Sequence, residues 1–140
     1  MTAATVAYPD ANGPRFGNKV PNAGLTCQTL SHAWVTAETD EADDTVQFGY
    51  LPGGVVVVGF INKCDDLDSN GSATLTHTIK LGSTALVTED DLCQTGGGEF
   101  HAITPVALTA PTLVSVVTVG TAATHANGTQ YLTFLYYSGQ

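Results

Sequence analysis

Residues 46–86 set the fold class, because they alternate β signals with sharp turns. Val46, Phe48 and Tyr50 fall on one face of an extended run, which stops at Leu51-Pro52-Gly53-Gly54. Proline presets φ at the second position of a tight turn and glycine accepts the positive φ a type II turn needs. Residues 55–61 (Val-Val-Val-Val-Gly-Phe-Ile) are apolar on both faces, as in a central strand. An Asp-rich turn over 65–71 follows. Beyond it Ala73, Leu75, His77, Ile79 and Leu81 share one face, with Thr74, Thr76, Thr78 and Lys80 on the other. This period of two is the mark of a half-buried strand. Apolar strands joined by short polar turns must bury a face against a second sheet, so a β-sandwich or barrel is expected.

The rest of the chain agrees. Gln28, Leu30, His32, Trp34 and Thr36 alternate with Thr29, Ser31, Ala33 and Val35, and Trp34 is the large anchor of that strand. Glu38-Thr-Asp-Glu-Ala-Asp-Asp44 reads as a solvated connector. Thr88-Glu89-Asp90-Asp91 resembles a capping box before Leu92 and predicts one helical turn. Gly96-Gly97-Gly98 predicts a flexible loop. Strand patterns return over 101–108 and 113–119, and Asn127-Gly128 signals a hairpin into a last strand over 130–137. Seven or eight short, regularly spaced strands predict an all-β, antiparallel, jelly-roll-like sandwich over 25–140. Residues 1–24 differ: they are rich in turn formers, lack periodicity, and carry Tyr8, Arg15, Phe16 and Lys19 close together. An idle terminus is one reading. An extended N-terminal arm that lies on a partner is the other, and those four residues are its candidate contacts.

At 140 residues one domain is expected, with a core large enough to need no staples. The net charge is −9, from 13 acids against Arg15, Lys19, Lys63 and Lys80. Four strong cations neutralise few phosphates, so neither nucleic acid nor an anionic membrane is an expected partner. The first residues, Met-Thr-Ala-Ala-Thr-Val-Ala, lack the basic and apolar segments of an export signal. Cys27, Cys64 and Cys93 are odd in number and show no CxxC spacing. They are expected to be free thiols in a protein made in a reducing cytoplasm, with one pair and a leftover thiol as the alternative.

Little in the sequence points to chemistry. Asp66-x-Asp68-x-Asn70-Gly71 matches the start of a Ca²⁺ loop, but His77 stands where the closing glutamate belongs. The same residues are ordinary turn formers, and no metal or other cofactor is expected. The four histidines are scattered, and His77 reads as a core or interface histidine. Nucleophile-elbow, P-loop and dinucleotide motifs are missing, so no enzymatic role is expected. Asn70-Gly-Ser72 and Asn127-Gly-Thr129 are formal glycosylation sequons that coincide with turns. Tyr131, Leu132, Phe134, Leu135, Tyr136 and Tyr137 make the last strand apolar on both faces: it is central in a sheet, or one face meets another subunit. Self-association in a closed arrangement is therefore expected.

Phe48-Gly-Tyr-Leu-Pro-Gly-Gly-Val-Val-Val-Val58, Leu67-Asp68, Gly71-Ser-Ala-Thr-Leu75, Ile79-Lys-Leu-Gly82 and the closing Tyr136-Tyr137 resemble the decoration, or cement, proteins of tailed-phage capsids. The resemblance implies a jelly-roll-like homotrimer on the outside of the virion head. It would bind the major capsid protein and stabilise its lattice, with the N-terminal arm as a clasp. The alternative is a phage tail or head-fibre β-sandwich module that binds another virion protein or a host-surface carbohydrate. Trp34 and the strand at 131–137 are the aromatic residues such a sugar site would draw on.

Overall fold

The structure is a computed structural model, and it describes residues 24–139. Eight strands form two four-stranded antiparallel sheets. They are β1 (Thr26–Trp34), β2 (Thr45–Leu51), β3 (Val55–Cys64), β4 (His77–Leu81), β5 (Thr84–Asp90), β6 (Gly97–Leu108), β7 (Thr112–Thr118) and β8 (Gly128–Ser138). One sheet runs β1-β8-β3-β6 and the other β2-β7-β4-β5. Every sequential connection except β4–β5 therefore passes from one sheet to the other, which is the jelly-roll arrangement. One turn of helix, α1 (Thr36–Thr39), and a 3₁₀ turn (Leu92–Gln94) interrupt the strands. Among the described residues no helix is long and apolar enough to cross a membrane.

Two of the alternations hold, but the one over 46–50 does not: a bulge between Gln47 and Gly49 leaves Tyr50 exposed while Val46 and Leu51 are buried. Gln28, Leu30, His32 and Trp34 point inward along β1, and Leu75, His77, Ile79 and Leu81 are all buried. Residues 55–61 fall in β3, paired with β8 on one side and β6 on the other. The core is built from Trp34, Leu51, Val57, Phe60, Ile79, Val114, Val116, Leu132 and Phe134, joined by the loop leucines Leu67 and Leu75. Phe60 and Phe134 stack with ring centroids 5.4 Å apart. The last strand is central, between β1 and β3, with Leu132 and Phe134 buried and Tyr131 and Tyr137 exposed on the outer face.

Several expectations are corrected. Cys64 and Cys93 form a disulfide with a Cα–Cα distance of 5.5 Å, leaving Cys27 as the exposed free cysteine. The bond ties the end of β3 to the 3₁₀ turn, a juxtaposition that the spacing of three cysteines does not reveal. Asn127-Gly128 does not make a β7–β8 hairpin, because those strands lie in different sheets. Leu51-Pro52-Gly53-Gly54 is likewise an inter-sheet corner. The positive φ falls on Gly54 (+77°), while Gly53 leaves room for the backbone of Ala110, 2.8 Å from where a Cβ would stand. The triple glycine is not a free loop: Gly97 and Gly98 pair with Cys64 and Lys63. The acidic Thr88-Glu89-Asp90 stretch ends β5, and Asp90 Oδ1 accepts the Leu92 N–H (3.1 Å) where the 3₁₀ turn starts. Tyr8, Arg15, Phe16 and Lys19 lie outside the described residues.

Gly128 is needed for space. A Cβ there would stand 2.6 Å from Asp65 Cβ and 2.9 Å from Leu67 Cδ2. Gly128→Ala is expected to destabilise the fold by about 1–3 kcal/mol, as overpacking does. A lowered denaturant midpoint at unchanged slope would show it.

Candidate functional site

The outer faces of the two sheets differ in chemistry. On the β1-β8-β3-β6 sheet, cross-strand partners put Ile61 beside Phe100 and Thr133, and Lys63 beside Tyr131. Phe100 is 61% exposed, and its ring carbons lie over Gly59, within 3.1–3.2 Å of the place a Cβ would take. Ile61, Tyr131 and Tyr137 are also exposed large apolar residues. Lys63 Nζ sits 5.6 Å from the centre of the Tyr131 ring, and Thr29 and Thr133 share a hydroxyl hydrogen bond of 2.8 Å. On the β2-β7-β4-β5 sheet the corresponding ladder sets Gln47 beside Ser115, Ser115 beside Lys80, and Val117 beside Thr78. One face gathers Ile61, Phe100, Tyr131 and Tyr137 around a single cation, whereas the other is mixed, with exposed Tyr50 beside Leu113 among hydroxyl and amide groups and Lys80. Exposed apolar side chains grouped on one sheet make that face the candidate interaction surface.

Beneath that face runs a chain of buried polar groups. Trp34 Nε1 donates to Gln130 Oε1 (3.0 Å), Gln130 Nε2 to Asn62 Oδ1 (2.9 Å), and Asn62 Nδ2 to Asp90 Oδ2 (3.0 Å). His77 stacks on Trp34 at 4.5 Å, and its Nδ1 lies 3.3 Å from Cys93 Sγ. It is a core histidine, as its place on an apolar strand face predicts. Burial lowers its pKa to about 4, against the opposing pull of the Asp90 charge, so the ring is neutral at pH 7. Trp34 is only 2% exposed, which removes it as a platform for a sugar.

The Asp-rich turn is built for a different task from holding a cation. Asp68 is fully buried, and its carboxylate accepts five backbone N–H groups. Oδ2 takes those of Thr74 (2.8 Å), Leu75 (3.1 Å) and Ala123 (3.0 Å); Oδ1 takes Thr124 (2.8 Å) and Asn70 (3.4 Å). Burial alone would raise its pKa, but the amides of Ala123, Thr124, Thr74 and Leu75 outweigh it and lower the value to about 2. Their positive ends converge where a cation would have to sit. Asp66 Oδ1 and Asn70 Oδ1 are used locally, accepting the N–H groups of Asp68 (3.0 Å) and Ser72 (2.8 Å). The motif is thus a clasp between the 65–76 and 119–127 loops, reinforced by Ser69 N–H to Thr124 O (2.9 Å) and Ala126 N–H to Leu67 O (3.0 Å).

Comparison with known structures places this architecture. The chain superposes on a chain of the capsid of Ralstonia phage GP4 with a TM-score of 0.70 and 25% identity, covering 87% of this chain and 90% of that one. It has the fold of a phage-capsid chain. A chain of the cyanophage Pam1 capsid asymmetric unit gives a TM-score of 0.73 at 22% identity, with 94% of each covered. A chain of the acid-stable capsid of the Helicobacter pylori bacteriophage KHP30 gives 0.55 at 13% identity, covering 84% and 94%. No protein-family model matches the sequence, and no curated protein matches it either.

Proposed function

We propose that this chain is a structural virion protein, a decoration or cement protein that binds the outside of a phage head as a homotrimer and stabilises the major-capsid lattice. The observation that carries the reading is the jelly roll shared over almost its whole length with capsid chains of phages. The aromatic face of the β1-β8-β3-β6 sheet supports it, since that face offers a surface to a neighbour. Many modest contacts, engaged at once by three subunits, attach tightly with no single strong site. Residues 1–24 serve as the clasp, with Tyr8, Arg15, Phe16 and Lys19 as its contacts, and residues 25–140 as the body. The acidic balance keeps such a subunit soluble and away from packaged DNA.

Two variants test this on capsids stripped of the protein and recoated. Deleting residues 1–24 is expected to leave the folded trimer intact and abolish attachment. Phe100→Glu is expected to weaken attachment at least about tenfold, because burying one large apolar side chain stabilises by roughly 1.5–3 kcal/mol. Normal coating by the truncated protein rules out the clasp, and normal coating by Phe100→Glu rules out this sheet face. Sedimentation equilibrium showing a monomer at micromolar concentration excludes the trimer.

A further inference from the structure

The open side of the sandwich brings together three metal-ligating side chains from strands that do not pair with each other. Asp90 ends β5, at the edge of one sheet; Glu99 and His101 lie on β6, at the edge of the other. Glu99 and His101 are two residues apart and so project from the same face of their strand. One ligand atom from each of the three lies within 4.8 Å of the other two. His101 Nε2 is 3.2 Å from Glu99 Oε1 and 3.9 Å from Asp90 Oδ2. In a tetrahedral zinc site with bonds of about 2.0–2.2 Å, neighbouring ligand atoms stand roughly 3.3–3.6 Å apart, and these two separations bracket that value.

The surroundings suit a metal better than a simple ion pair. His101 Nε2 is buried and makes no hydrogen bond, despite the nearby carboxylate oxygen. The ring is held by stacking on Phe60 at 4.9 Å. Asp90 is oriented by Asn62 Nδ2 on Oδ2 and the Leu92 N–H on Oδ1, and Asn62 is fixed through Gln130 to the Trp34 indole. Such outer hydrogen bonds hold metal-binding carboxylates in place. Glu99, the most exposed of the three, is free to swing onto an ion. Further along the same side, a cavity of about 350 Å³ lined by Leu86, Ala102, Ile103 and Val106 lies between the two edge strands.

We propose that Asp90, Glu99 and His101 form a zinc-class divalent transition-metal site that clamps β5 to β6 and closes the open side of the sandwich, with water completing the coordination. An imidazole nitrogen with two carboxylates favours Zn²⁺ over Ca²⁺, which takes oxygen ligands alone.

The test uses the full chain with Cys27→Ser, so that the exposed thiol cannot take up metal. After EDTA treatment and its removal, ZnCl₂ is titrated by calorimetry and the melting temperature is followed with and without zinc. The expected result is one equivalent bound, a melting temperature raised by several degrees, and no such effect from CaCl₂. Glu99→Gln, at an exposed position that the fold tolerates, is expected to weaken binding at least tenfold, and His101→Asn likewise. Absence of saturable binding, or an affinity unchanged from the parent protein in either variant, overturns the proposal and leaves His101 and Glu99 as an ordinary pair. Co²⁺ in place of Zn²⁺ supplies an independent readout: visible absorption bands of a nitrogen–oxygen site that vanish in His101→Asn support it, and bands unchanged by that substitution overturn it.

Discussion

Asp68→Ala is expected to lower the folding free energy by about 4 kcal/mol, among the largest effects of any single substitution in this chain. The carboxylate it removes is the common acceptor for the amides of Asn70, Thr74, Leu75, Ala123 and Thr124. A buried donor left without a partner costs roughly 1–3 kcal/mol. Asn70, Thr74, Ala123 and Thr124 belong to exposed residues and can turn partly to water, whereas Leu75 is buried, so the sum falls short of five full penalties. Asp68→Asn is expected to cost about 2 kcal/mol, since it keeps one acceptor but aims an NH₂ at N–H donors. The same residue predicts an acid limb. Its folded pKa, about 2, lies below the ordinary 3.8, so its contribution is complete above pH 3.8 and is lost as pH falls towards 2. In Asp68→Asn that part of the slope disappears. Denaturant midpoints between pH 2 and pH 5 check both statements, and a wild-type midpoint for Asp68→Ala would refute the clasp.

Loss of the Cys64–Cys93 bond ranks second. The bridged residues are 29 positions apart, and closing a loop of that size in the unfolded chain is worth about 3–4 kcal/mol in the chain-entropy picture. For a domain this small the melting temperature of Cys64→Ser/Cys93→Ser is expected to fall by roughly 10 °C. Both cysteines are buried, whereas Cys27 is exposed. A thiol reagent is therefore expected to find one reactive group in the native protein and three after reduction in denaturant. Two or more reactive groups in the native, unreduced protein would contradict the bond. Cys27→Ser is expected to leave stability unchanged within about 0.5 kcal/mol, as for surface substitutions generally.

The sequence revealed which residues face inward, and it did so through periodicity. The Gln28, Leu30, His32, Trp34 row and the Leu75, His77, Ile79, Leu81 row both lie where alternation puts them. The partners of each strand were not legible, because pairing here joins distant parts of the chain. Pro-Gly-Gly and Asn-Gly suit any sharp reversal, so the same signal serves a hairpin and a corner between sheets. Asp66, Asp68 and Asn70 illustrate a second limit. Their spacing is the same for gripping a cation as for collecting amides, and the Ala123 and Thr124 donors that decide the matter come from 55 and 56 residues beyond Asp68. Glu99 was not read as part of a strand, because the triple glycine before it suggested a loop; β6 starts at Gly97, and Asp90 joins Glu99 and His101 only because β5 and β6 end the two sheets on the same side.

Thr26 pairs with Tyr136, and β8 is the middle bond between the first strand and β3. The first strand thus waits, without its permanent neighbour, until β8 has been made. Topologies dominated by such distant pairings fold in milliseconds to seconds, and never piecemeal from the N-terminus. A nascent chain presents no finished aromatic surface to other molecules until β8, which carries Tyr131 and Tyr137, has paired. Completion of the β1-β8-β3-β6 sheet is timed by the one strand that joins its first member to the rest.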